Sequence, residues 1–549
     1  MSNSGLPWKR QQLRVPRANR SLYALPDLAQ VVKDVAANQA VYGNADVKIQ
    51  GKSLGDLRTW SRQVVLSAAA RYTQTVVGPV DQIASPARLP ESVVVTGHQP
   101  SLFHPGVLVK NLATHHVADR SGGVGLNLIV DNDTVSSLEM RVPTGTLERP
   151  SFERVSLDGV RSTQPWEEAR IESEQLFASF PDRVSETLGD WGFEPLLPEV
   201  WTDVSRLAES GHRLADCFSG ARSLLERRWG AGNLELPISH MCQLDPFLWF
   251  TGHLLANLKR FREAHNEILA QYKQVNRIRS RTHPVPPLEQ DGDWIEAPFW
   301  IWRTNEKRRG RLFAKQAERH VLLAVDGETI AELPLTPKMD ACCAVEALRE
   351  LPKKQFHLRT RALTTTLFAR VALSDMFIHG IGGAKYDEMT DRIIDRFYGF
   401  TAPKFATLSA TIHLPFRDVE SNVTKELLEV EDQLRRLKYQ PERFVDETNS
   451  LIARKRELIA EQHQSKSQTQ TRQEYLEQRG QRRKRYQELR SINEQLATKL
   501  DSKRGETERR LDELKSQDAA NAILNDREYS FCLYPEDLLR EFFDAALRG

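Results

Sequence analysis

Apolar residues recur at helical spacing over residues 28–42 and 54–72, which predicts two helices ahead of the first strand. Val93-Val94-Val95 then reads as a strand buried on both faces, because β-branched side chains pack well in a covered sheet. Thr96-Gly97 ends it, and Pro105 opens a helix over 107–120 that stops at Ser121-Gly122-Gly123. A second strand over 125–130 runs into Asp131-Asn132-Asp133. Strand, crossover helix and strand make a βαβ unit, so a parallel α/β sheet is expected. Farther on, the pattern predicts helices over 166–188, 196–229 and 247–275, with a strand at 234–239. Trp294 to Trp302, 312–314, 321–325 and 328–333 read as strands, the last two joined by a type I′ turn at Asp326-Gly327. These make a small β-rich insertion around 283–335, in which the prolines of 283–287 hold a rigid extended segment. An apolar helix over 363–373 precedes a strand at 376–380, a glycine loop at Ile381-Gly382-Gly383, and a helix reaching Tyr398.

The pattern changes at 423–519. Phe444, Leu451 and Leu458 repeat every seven residues, as do Val445, Ile452 and Ile459. Leu489 shares a phase with Leu496, and Tyr486 with Leu500 and Leu514. Such seams among Glu, Lys, Arg and Gln predict paired helices in an antiparallel coiled-coil arm, its tip within 461–472 and a break at Pro441. Residues 520–549 return to a strand-and-helix pattern, beginning with a strand near 528–532, and are expected to pack back on the core. The expected organisation is therefore a Rossmann-like α/β core over 1–422, the arm, and this C-terminal segment.

Composition narrows the class without changing that picture. At 549 residues the chain exceeds one compact core. A net charge of +2 gives no global drive toward nucleic acid or membrane, and the basic run at Arg479 to Arg485 is interleaved with acids across the arm. No apolar run approaches the ~20 residues that span a bilayer, and the first twenty residues lack the apolar core of a secretory signal. A cytoplasmic protein with neither nucleic-acid nor membrane partner is expected. Cys217, Cys242, Cys342, Cys343 and Cys532 include no CxxC pair, so reduced thiols and no metal site are expected.

Parallel sheets bind ligands beyond the carboxyl ends of their strands. That edge would carry Gly97, His98, Gln99 and His104 from one strand and Asp131 and Asp133 from the next. Gly382 and Gly383 would let backbone approach a ligand, and Arg359 and Arg361 could take a carboxylate through paired hydrogen bonds. His240 and Asp245 are further candidate contacts.

Thr96-Gly97-His98-Gln99-Pro100, through Gly106-Val107-Leu108 and Lys110, resembles the first βα connection of the bacillithiol-synthesis cysteine-adding enzymes (BshC). Gly380-Ile381-Gly382-Gly383-Ala384-Lys385-Tyr386 resembles their GGPGE-x-x-Y segment, and the arm matches their long coiled coil. His98 stands where the family has Gln, and Asp131-Asn132-Asp133-Thr134 where it tends to carry an acidic stretch containing His. The resemblance implies a ligase that adds cysteine to the amine of a glucosamine–malate conjugate; homodimerisation is expected from the coiled-coil arm itself. The resemblance would give His98, Asp131 and Asp133 catalytic roles, with a His moving protons near neutral pH and an Asp accepting the amine's proton. Gln99 and His104 would orient polar groups, and Lys110 or an Arg would hold malyl carboxylates. ATP and Mg²⁺ are candidate activators of the carboxylate, although no P-loop is present. Two other readings stay open: a related transferase or nucleotidyltransferase acting on another amino-sugar or nucleotide, and a non-catalytic coiled-coil scaffold.

Overall fold

The computed structural model describes residues 13–78, 89–135, 138–159, 163–279, 285–304, 306, 308–416, 423–446, 449–467 and 479–548. The chain divides into two units. One comprises Met1–Val142, Glu153–Pro415 and Arg527–Gly549, and the other Pro143–Phe152 and Phe416–Asp526.

The larger unit begins with β1 (Ser21–Leu25), α1 (Leu28–Gly43) and α2 (Leu54–Val77). Asp27 and Ser53 start the two helices, each side chain accepting a backbone N–H three residues on. Next come β2 (Val93–His98), α3 (Pro105–Arg120) and β3 (Val124–Ile129), the expected βαβ unit. The chain continues through α4 (Leu197–Glu209), α5 (Leu214–Arg228), β4 (Leu234–Pro237), α6 (Asp245–Ala256) and α7 (Leu258–Val275).

Three long expected helices are interrupted. Residues 196–229 break at Gly211, whose φ of +81° is left-handed. Residues 247–275 break at Asn257, whose side-chain amide bonds back to the His253 carbonyl at 3.0 Å. Residues 166–188 hold one short turn and two short helices, the second with Pro181 in its first turn, where a missing N–H costs nothing.

A second sheet follows: β5 (Gln290–Asp291), β6 (Trp294–Arg303), β7 (Gly310–Ala317), β8 (His320–Val325), β9 (Glu328–Pro334) and β10 (Phe356–Thr360). All its pairings are antiparallel. Asp326 and Gly327 take φ values of +48° and +83°, as a type I′ turn requires. The sheet exceeds the expected insertion, because β10 pairs with β6 from Phe299↔Thr360 to Arg303↔Phe356. Of the extended segment at 283–287, residues 283 and 284 lie outside the described residues.

The larger unit closes with α8 (Ala362–Phe368), β11 (Met376–His379), α9 (Ile381–Ile393), β12 (Ala406–Thr411) and a C-terminal helix, α10 (Glu536–Arg548). The strand expected near 528–532 is instead a turn and a single 3-10 turn, Phe531–Leu533, anchored by the Phe531 N–H to the Phe103 carbonyl at 2.9 Å.

The main sheet has the order β1-β12-β11-β2-β3-β4. Its pairings are parallel except at the edge, where β1 runs against β12. From β2 the chain winds through α3 to β3, and from β11 through α9 to β12 on the other side. The connections therefore leave the adjacent strands β2 and β11 in opposite directions, the topology whose carboxyl ends take ligands in parallel α/β sheets. One core joins the two sheets: Val93, Val95, Leu126 and Leu128 belong to the same buried cluster as Phe247, Phe299, Ile301 and Leu312.

The smaller unit contains the helices Val423–Tyr439, Ser450–Ser467, Arg479–Thr498 and Asp501–Leu524. The first ends just before Pro441. Arg454 pairs with Glu488 at 2.8 Å and Arg485 bonds to the Glu461 carbonyl at 3.2 Å, so the second and third helices run antiparallel. Ile452 and Leu458 pack with Ile492 and Leu496. Ile459 and Tyr486 are exposed and take no part in the seam, whereas the buried Lys455 reaches Glu442 and Asn493. The expected tip falls partly outside the described residues, and 461–467 is helical.

Candidate functional site

The switch point between β2 and β11 collects the first group of candidate residues. Gly97 lies near the end of β2, where a Cβ would sit 3.0 Å from the Leu128 carbonyl oxygen of β3. Its own carbonyl accepts a hydrogen bond from Lys110 Nζ at 3.1 Å. Lys110 projects from α3, is buried, and passes Gly380, where a Cβ would lie 3.7 Å from its Cδ. Burial and the Arg222 guanidinium bring its pKa down to about 8. Among the described residues it forms no ion pair, so two of its three N–H donors are uncommitted.

Two histidines adjoin it. His98 packs edge-on against Phe103 with ring centroids 5.1 Å apart. Its Nδ1 faces the Gln99 carbonyl at 3.3 Å, which makes Nδ1–H the donor and leaves Nε2 as an acceptor. His104 caps α3: its Nδ1 accepts the Gly106 N–H at 3.1 Å, so its proton sits on Nε2. Burial, followed by Lys110, pushes His98 down to about 3, whereas burial, Arg527 and Lys110 push His104 down to about 4. Both rings are therefore neutral near pH 7. This corrects the expectation that a histidine here exchanges protons near neutrality, since a buried imidazole beside an ammonium cannot hold a second positive charge.

The second glycine segment is not a loop. Gly380 precedes α9, and Gly382 and Gly383 occupy its first turn with ordinary helical backbone. A Cβ at Gly382 meets nothing within 4 Å, while one at Gly383 would lie 3.0 Å from His379 Nδ1. The close approach at Gly383 is thus to His379. That ring is bound to Asp387 at 2.9 Å, and Asp387 also pairs with the buried Arg370. Burial opposes ionisation of Asp387, but Arg370 and His379 hold its carboxyl well below the usual range.

The remaining candidates gather at the end of β3 but separate into two settings. The carboxylate of Asp131 is buried, accepts the Ser239 N–H at 2.9 Å and contacts the Ser239 hydroxyl. It ties the end of β3 to the turn after β4. Burial and then the Glu167 carboxylate raise it to about 7, against the opposing bonds from Ser239. Both of its oxygens are engaged by Ser239. Asp133 points elsewhere. It takes the side-chain amide of Gln99 and pairs with Arg309 at 3.1 Å. Gln99 therefore joins the end of β2 to the end of β3.

The two arginines of β10 also diverge. Arg359 is buried and holds Glu167 through two hydrogen bonds of 2.9 and 2.7 Å, so it has no edge to offer a substrate carboxylate. Arg361 gives Nη2 to Glu296 at 2.7 Å and lies over Trp300 at 4.3 Å, with Arg309 over the same ring at 4.9 Å. Asp133, Arg309, Trp300 and Arg361 line a cavity of about 340 Å³ between the two sheets. Sequence reading missed Arg309 altogether; only its pairing with Asp133 and its place over the ring it shares with Arg361 single it out.

His240 lies edge-on to Tyr72, and Asp245 pairs with Arg349 on the surface. Among the described residues no group of three His, Cys, Asp or Glu side chains could hold a metal ion, and no helix is long and apolar enough to cross a membrane. No family model matches the chain, and no curated protein matches it.

Proposed function

We propose that this protein is an amide-forming ligase of the bacillithiol-pathway type, joining the carboxyl group of cysteine to the free amine of a glucosamine–malate conjugate. The observation that carries this reading is Lys110, a buried ammonium at the switch point whose one side-chain hydrogen bond among the described residues goes to Gly97. A desolvated cation with two open donors favours a carboxylate, or a carbonyl oxygen gaining charge as the amide forms. The His104 Nε2–H is a second donor, and the unprotonated His98 Nε2 is an acceptor suited to orienting an amine N–H. With ATP as the activating co-substrate, the amine attacks the cysteine acyl-phosphate or acyl-adenylate carbon. The C–O bond to phosphate or AMP breaks as the C–N bond forms, and the amine proton passes to solvent. These three side chains hold the reacting groups.

The helical arm, read as a coiled coil, is the segment through which the chain self-associates. Five free cysteines are in keeping with a reducing, cytoplasmic setting.

The test is mass spectrometry of the full chain incubated with glucosamine–malate and cysteine, with and without ATP and Mg²⁺. An amide-linked product is expected, falling about a hundredfold or more in Lys110→Met, the scale of losing one charge-stabilising donor. Absence of product from folded protein under both conditions would overturn the reading.

A further inference from the structure

The cavity at the end of β3 has chemistry of its own. Asn132 and Arg361 both line it, and each keeps one buried polar atom without a hydrogen-bond partner among the described residues: Asn132 Oδ1, an acceptor, and Arg361 Nε, a donor. The two residues adjoin, because Asn132 Nδ2 donates to the carbonyl of Thr360, the neighbour of Arg361, at 2.7 Å. Leaving such atoms dry and unpaired is unfavourable, and a bound molecule offering one acceptor and one donor would satisfy both. Arg309 stands beside them, donating to the Asn132 carbonyl at 3.0 Å and pairing with Asp133. Leu363 and its neighbours supply an apolar wall. At about 340 Å³ the space lies near the small end of ligand pockets, which run from roughly 300 to 1,000 Å³.

We propose that this cavity binds a small carboxylic acid with an N–H or O–H donor on the carbon next to the carboxyl, an α-amino or α-hydroxy acid. Its carboxylate lies against Arg361, with Arg309 adding positive charge, and its donor bonds to Asn132 Oδ1. The apolar wall takes the side chain. The binding chemistry stands on the cavity, and only the choice of cysteine or a malyl group as the natural ligand rests on the ligase reading.

Isothermal titration calorimetry of the full chain with L-cysteine, L-valine and L-malate, each without a second substrate, tests this. At least one acid is expected to bind, with affinity falling about tenfold or more in Arg361→Gln, the scale of losing a charged hydrogen bond. Because that change strands Glu296, Leu363→Trp serves as a second variant that fills the cavity and leaves every charge in place. It too should weaken binding at least about tenfold, as a blocked pocket requires. Cysteine and valine binding without malate identifies an amino-acid site, and malate alone a hydroxy-acid site. No binding to the folded chain, or binding that survives in Leu363→Trp, overturns the proposal. Acid binding unchanged in Leu363→Trp, with amide product formed by wild type, would reject the cavity while sparing the ligase reading. Acid binding lost in Leu363→Trp, with no product from wild type, would keep the cavity and reject the ligase.

Discussion

Replacing Asp131 by Asn should stabilise the protein at alkaline pH and leave it nearly unchanged in acid. The folded state raises the carboxyl from 3.8 to about 7, chiefly by burial. A proton held more tightly in the folded than in the unfolded chain favours folding below pH 3.8, and that advantage disappears as the pH climbs to about 7. At about 1.4 kcal/mol for each pH unit, the ionised form costs the fold up to about 4 kcal/mol at pH 8. An asparagine cannot ionise, yet it can accept the Ser239 N–H and donate to the Ser239 hydroxyl, the two contacts Asp131 makes. With about 430 residues in the larger unit, an unfolding entropy of about 0.9 kcal/mol/K converts this to a rise in Tm of about 4 °C. Thermal unfolding of wild type and Asp131→Asn, followed by circular dichroism from pH 4 to pH 8.5, provides the assay. The gap in Tm should open between pH 4 and pH 7. A gap that does not change with pH, or a variant less stable at pH 8, would refute the assignment of a raised, buried carboxyl.

Perturbations at three further positions separate structural from permissive ones. Arg359→Met strands the buried Glu167 carboxylate and should cost about 3–5 kcal/mol, whereas Arg359→Met combined with Glu167→Leu should recover most of it; equal losses in thermal melts would contradict the pairing. Gly106→Ala places a Cβ 2.5 Å from the Ala410 carbonyl oxygen and should destabilise by about 1–3 kcal/mol. Gly382→Ala meets nothing within 4 Å in the first turn of α9 and should be neutral or stabilising by up to about 1 kcal/mol. Denaturant midpoints that ranked these two glycine variants the other way would restore the loop reading of Gly382.

Local chemistry was the part of this protein open to reading in one dimension. Three valines, a Gly-bearing strand end, Pro105 and a terminal Gly pair determine β2, α3 and β3, because propensity, capping and backbone freedom act within a few residues. The Asp326-Gly327 turn is determined in the same way, since its two positive φ values suit that dipeptide. The candidate region was equally accessible: Gly97, His98, His104 and Lys110 do meet at one strand edge. What each residue does there was decided by partners far along the chain. Asp131 is consumed by Ser239, Arg359 by Glu167, and Gln99 by Asp133. Arg309 and Trp300 join Arg361 only because β6, β10 and the end of β3 converge. Ionisation followed the same division, because an imidazole falls to about 3 and a carboxyl rises to about 7 only when burial and a neighbouring charge act together. Residue spacing carries periodicity and capping, but desolvation and long-range pairing exist only once the sheets have packed.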